Sequence, residues 1–149
     1  MKPALLLLAL ATATALFAQE KPAEKRELLS SHQTTATFSG IEKRKCRGRT
    51  SACPYRCGDS GDYASFKIIE YIDYKKPGKY GDPKQTTFSV QIQDNMENQK
   101  VSPEILKAIK ALKVGDIAHL NWNHDYVTKG GTSSPERTIQ LIKHVNTER

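Results

Sequence analysis

The stretch SPEILKAIKALKVGDI, residues 102–117, is where the chain changes period, and it decides the fold. Ser102 can accept from a backbone N–H at the start of a helix. Pro103 suits the first helical position, where its missing N–H is not needed. Ile105, Leu106, Ile109 and Leu112 recur at i, i+1, i+4 and i+7, which makes one apolar stripe. Lys107, Lys110 and Lys113 lie toward the other side and favour the C-terminal half through the helix dipole. Val114-Gly115-Asp116 ends the run. The pattern predicts one short helix in a chain that otherwise reads as strands.

Upstream, residues 34–43 contain Thr-Thr-Ala-Thr-Phe and predict a first strand. Residues 44–62 carry all three cysteines among glycines and a proline, which is loop chemistry. Residues 63–74 are aromatic and β-branched and predict a long second strand. Pro77, Gly78, Gly81 and Pro83 mark a turn over residues 75–84. Residues 86–94 alternate, with Phe88, Val90 and Ile92 on one face and Ser89, Gln91 and Gln93 on the other, as a half-buried strand does. Downstream, residues 117–127 predict a fourth strand and residues 137–145 a fifth. Between them residues 128–136, with Gly130, Gly131 and Pro135, read as a loop.

The order β-β-β-α-β-β with a long first loop resembles the OB-fold, a five-stranded, partly open barrel. The resemblance covers residues 34–145 and rests on element order and on the LKVGDI step at 112–117. It implies a mostly β, five-stranded OB-fold-like barrel with one helix between strands three and four. It also implies that the first long loop and the loop between strands four and five share one face. It implies no particular activity, because the fold hosts many.

Residues 1–18 read as a signal peptide. Lys2 gives the positive start, residues 4–10 an apolar run with four consecutive leucines, and Ala13-Thr-Ala15 and Ala18 small cleavage-site residues. The run is too short for a comfortable membrane span, and no later stretch approaches its hydrophobicity. The expected location is therefore periplasmic or secreted. Residues 19–33 are polar and charged and read as a flexible spacer, so the single domain is expected to run from 34 to 149. The chain carries 23 Lys+Arg against 16 Asp+Glu, a formal charge of +7. Such a surface attracts polyanions. In an exported protein these are anionic envelope polymers or acidic partner proteins sooner than nucleic acid. Lys43, Arg44, Lys45, Arg47 and Arg49 concentrate the charge and form a possible polyanion site.

Cys46, Cys53 and Cys57 place three thiols within one loop. An odd number in an oxidising compartment leaves two readings. One is a structural metal such as zinc, which takes four soft or borderline ligands. Three cysteines plus His124 would supply them. Ala118, Leu120, Trp122, His124 and Tyr126 share a strand face by parity, which puts His124 near the rim of the barrel. Asp59 or Asp62 could stand in as an oxygen ligand. The other reading is one disulfide within the loop and one spare thiol.

Cys57-Gly-Asp-Ser-Gly61 resembles the nucleophile motif of chymotrypsin-like proteases over five residues. Asp62 stands where a second glycine belongs, and the chain is too short for two barrels, so the segment is read as a turn. GxSxG, Walker-type, HExxH and dinucleotide patterns do not occur. No catalytic residue is assigned. The sequence favours an exported binding module over an enzyme. Its cysteine loop holds a metal, or alternatively a disulfide stiffens it and the basic residues bind an anionic polymer or partner. His119, Asn121 and Asn123 form a polar row on the opposite face of strand four, and Tyr74 and Tyr80 flank the Lys75–Lys79 turn as a possible aromatic-basic patch.

Overall fold

A computed structural model describes residues 24–48 and 50–145 of the chain; residues 1–18, expected as a signal peptide, and Arg49 of the expected polyanion cluster lie outside the described residues. The protein is mostly β, with strands β1 (Lys25–Arg44), β2 (Gly61–Lys75), β3 (Thr87–Asp94), β4 (Ile117–Lys129) and β5 (Thr132–His144), and one helix, α1 (Pro103–Ala111). The strands form a single antiparallel sheet in the order β3-β2-β1-β4-β5. The sheet is not closed: among the described residues β3 and β5 form its two edges and do not pair.

The helix forms where the period changed. Ser102 Oγ accepts from the Ile105 N–H at 3.3 Å, and Pro103 opens the first turn. Ile109 is its fully buried residue. Leu112 joins it in a core with Phe38, Phe66, Phe88, Leu120 and Trp122, drawn from the inward faces of four strands.

Three boundaries differ from the sequence reading. β1 begins at Lys25, so residues 25–33, expected as spacer, are strand; they find partners in β4 across Lys25↔Thr128 to Gln33↔Asn121. A polar composition is compatible with a strand whose neighbours supply the apolar face. The expected loop 128–136 is a tight hairpin with Gly130 and Gly131 at φ of 54° and 81°, the left-handed pair that a two-residue turn requires. Lys129↔Thr132 closes it. Pro135 is therefore inside β5, which it can be because β5 is an edge strand.

β1 is irregular, with register shifts at Gln33/Thr34, Thr35/Ala36 and Phe38/Gly40 against β2 and at Leu28/Ser30 against β4. The last shift lies opposite His124 and Asp125, both buried, and beyond it the parity of β4 reverses. Tyr126, which parity grouped on one face with Trp122 and His124, is exposed, and Val127 is buried instead.

Candidate metal centre

β1 ends at Arg44, β2 starts at Gly61, and the loop between them carries the thiols. Its far end is fixed by a backbone contact that only glycine permits: a Cβ on Gly61, at φ 149°, would stand 2.1 Å from the Gln93 carbonyl oxygen. Ser60, fully buried, receives the Cys46 N–H on its Oγ at 2.8 Å. The Asn95 N–H reaches the Ser60 carbonyl at 2.9 Å, and Gln91 Nε2 donates to the Gly58 and Ser60 carbonyls at 2.8 and 3.1 Å. Asp94 holds the neighbouring turn by accepting from the Met96 and Asn98 N–H groups, and Lys100 Nζ stands 2.8 Å from its carboxylate. The loop therefore rests on β3 and its following turn.

This scaffold brings Cys46, Cys53 and Cys57 together, with all three sulfurs within 4.8 Å of one another. Cys46 and Cys53 are partly buried and Cys57 is buried. The Cys46–Cys53 separation is 3.0 Å, and no pair is bonded. Hydrogen bonding from Cys46, then from the hydroxyl and N–H of Thr50, favours the Cys53 thiolate and lowers its pKa to about 6. Hydrogen bonding with Cys46 acts in the opposite sense on Cys57, raising it to about 11. At neutral pH Cys53 thus favours the thiolate, stabilised by its neighbours, and Cys57 keeps its proton. A bound cation would remove that proton too, because thiols ligate as thiolates.

His124 is not part of this cluster. In β1 Ser30 pairs with His124, whereas Arg44 pairs with Gly61 at the start of the thiol loop's far side. At about 3.3 Å per residue, most of the length of β1 separates them. The parity argument placed His124 on the buried face correctly but was silent on which end of the sheet it occupies. Asp59 and Asp62 follow the thiols, and neither joins the three sulfurs as a ligand among the described residues.

Of the basic residues, Lys43, Arg44, Lys45 and Arg47 flank Cys46. Lys43, Arg44, Lys45 and Arg47 are all exposed, the last two just beyond the end of β1. Arg44 is committed to its surroundings: it pairs with Glu42, donates to Ser65 Oγ at 3.2 Å and lies 4.7 Å over the Tyr63 ring.

The sequence reading missed a second polar cluster, at the other end of β1. His32 and Ser30 are buried, with Ser30 Oγ and His32 Nε2 2.9 Å apart. His32 stacks on Trp122 with ring centroids 4.4 Å apart. The Asp82 N–H is shared between Ser30 Oγ at 3.1 Å and His124 Nδ1 at 3.2 Å, and Arg137 grips the Asp82 carboxylate at 2.7 and 2.8 Å. Burial lowers the pKa of both histidines, that of His32 to about 4. Reading residues 19–33 as spacer hid Ser30 and His32. The sequence signal that could have exposed them is the alternation Ser30, His32, Thr34, Ala36, Phe38, which continues the apolar face of β1 backwards.

No helix among the described residues is long and apolar enough to cross a membrane. No protein-family model, no curated protein and no solved structure matches the chain.

Proposed function

We propose that the protein is a small exported binding module whose first loop holds a soft cation such as zinc on Cys46, Cys53 and Cys57. The observation that carries the reading is Cys57. It is buried and belongs to the same sulfur triangle, although a Cys46–Cys53 disulfide would have no use for it. Three thiolates with the fourth position open to water or a partner's ligand is a recognised way to hold zinc. The exposed Lys43, Arg44 and Arg47 around the loop favour a site with net negative charge. The five antiparallel strands and the helix before β4 support an OB-fold-like barrel left open between β3 and β5. The apolar leader supports export.

One observation favours the disulfide reading. Tetrahedral zinc with sulfurs at about 2.3 Å sets them about 3.8 Å apart, wider than the 3.0 Å between Cys46 and Cys53. In that case the loop is stiffened covalently, and the basic residues serve an anionic polymer or partner.

Intact mass separates the two. Native spectra of the purified protein with zinc, and denatured spectra without reductant, are recorded for wild type and Cys57→Ala. The metal reading expects one bound zinc, three free thiols, and loss of zinc in the variant. A wild-type mass lowered by two hydrogens with no metal, unchanged in the Cys57→Ala loop, overturns it. His124→Ala is expected to keep its zinc.

A further inference from the structure

A cavity of about 560 Å³ lies at the opposite end of β1 from the thiols. Its floor is one face of three paired strands, where Glu27 of β1 lies opposite Tyr126 of β4, and Pro135 and Arg137 of β5 lie opposite Tyr126 and His124. Its wall is the β2–β3 turn, which brings Tyr80 and Asp82 over that floor.

The turn is seated tightly. The Gly78 N–H donates to the Leu29 carbonyl at 3.1 Å, and a Cβ on Gly78 or Gly81 would come within 2.8 and 2.2 Å of Leu29 backbone atoms. The cavity is therefore built by the fold before any ligand arrives, which spares a ligand the cost of ordering it.

Its chemistry is specific. Tyr80 and Tyr126 are 76% and 43% exposed, so large ring surface stands at the mouth. Leu29 and Pro135 make the remaining apolar lining. Arg137 neutralises the Asp82 carboxylate through Nε and Nη2, which leaves Glu27 as the uncompensated charge of the lining and opposes an anion. His124 lines the cavity and is 4% exposed. Its Nδ1 meets the Asp82 N–H at 3.2 Å and the Asp82 carboxylate at 3.3 Å, so His124 anchors the turn that walls the cavity.

The occupant that meets these terms carries no negative charge, has an apolar ring face for the tyrosines, and carries hydroxyl groups that can donate to Glu27 and bond the Asp82–Arg137 pair. We propose that this cavity binds a neutral glycan unit, its ring stacked on Tyr80 and Tyr126 and its hydroxyls bonded to Glu27 and the Asp82–Arg137 pair. A pocket of this size holds one or two sugar rings. The proposal is independent of what the thiols hold.

The test is a titration of the purified protein with maltotriose, cellotriose and triacetylchitotriose, followed by NMR of the tyrosine and histidine rings. At least one sugar is expected to shift Tyr80, Tyr126 and His124 together. Tyr126→Ala and Tyr80→Ala, at exposed positions that leave the core intact, are each expected to weaken that sugar at least tenfold. Tyr55→Ala, an exposed tyrosine on the thiol loop, is expected to leave it unchanged. The proposal is overturned if none of the sugars moves these rings at millimolar concentration. It is overturned equally if only a proline-rich peptide or benzoate does so, or if the two tyrosine variants bind as wild type.

Discussion

Lowering the pH from 7 to 4 is expected to destabilise the protein by about 3 kcal/mol through His32 alone. The side chain is 1% exposed and is pressed between Trp122, at 4.4 Å, and Tyr74, at 5.1 Å. Its Nε2 has Ser30 Oγ, and its Nδ1 is buried without a partner. A second proton would put a charge on a buried ring whose Nδ1 finds no acceptor among the described residues. Burial is accordingly the largest influence on its pKa; Asp82 raises it, and His124 and Arg137 lower it again, leaving it at about 4 against an ordinary 6.5. The unfolded chain binds this proton first as pH falls, so stability is complete above about 6.5 and declines down to about 4. His124 is shifted in the same direction and adds to the loss. Asp82 and Asp94 are held below their ordinary 3.8 and act only at lower pH. Urea unfolding followed through Trp122, the single tryptophan, measures the effect. A loss of 3 kcal/mol moves the midpoint by about 1–3 M at ordinary urea slopes. His32→Phe, which keeps the stack and cannot titrate, is expected to flatten the pH dependence although it starts less stable. Equal midpoints for wild type at pH 7 and 4, or an undiminished slope in the variant, would refute the reasoning.

Gly81→Ala drives a Cβ to 2.2 Å from the Leu29 carbonyl oxygen; thermal unfolding is expected to show a loss of about 2 kcal/mol or more, since backbone must move. Ser102→Ala removes the helix cap and is expected to cost about 1 kcal/mol by the same measurement. Trp122→Ala empties the centre of the core, where the ring also stacks on Phe88 at 4.2 Å, and is expected to cost about 3–5 kcal/mol. Alkylation by iodoacetamide at pH 7 is expected to modify Cys53 first, as the thiol with the lowered pKa, and Cys57 last; zinc that protects all three would place the metal on them.

Much of this architecture was legible because its signals are local. The change of period at residues 102–117 identified the helix and its cap, and alternation identified β3 and the buried face of β4 as far as His124. The cysteines were legible as a cluster because they share one loop. What escaped was set by pairing across the sheet. Residues 25–33 look like a solvated spacer until β4 supplies their partners. Gly130 and Gly131 look like loop until their positive φ values make a hairpin. His124 looked available to the thiols because parity fixes a face and says nothing of distance along the strand. The bulge at Leu28/Ser30 reversed that parity at Tyr126, and no residue type there announces it.

An open sheet has a colloidal consequence. Residues 98–100 fold back on part of the β3 edge, which leaves β5 as the edge open to another extended chain, and edge strands of this kind seed aggregation unless something interrupts them. β5 is 13 residues long and carries an exposed Leu141. It also carries Pro135, which has no N–H to offer, followed by Glu136 and Arg137, with Lys143 near its end. These residues act as gatekeepers: a second copy trying to add a strand would lose a ladder bond at Pro135 and bury charge beside it. Replacing Pro135 with threonine would remove the proline block from the longest free edge, and light scattering at high concentration would register the difference.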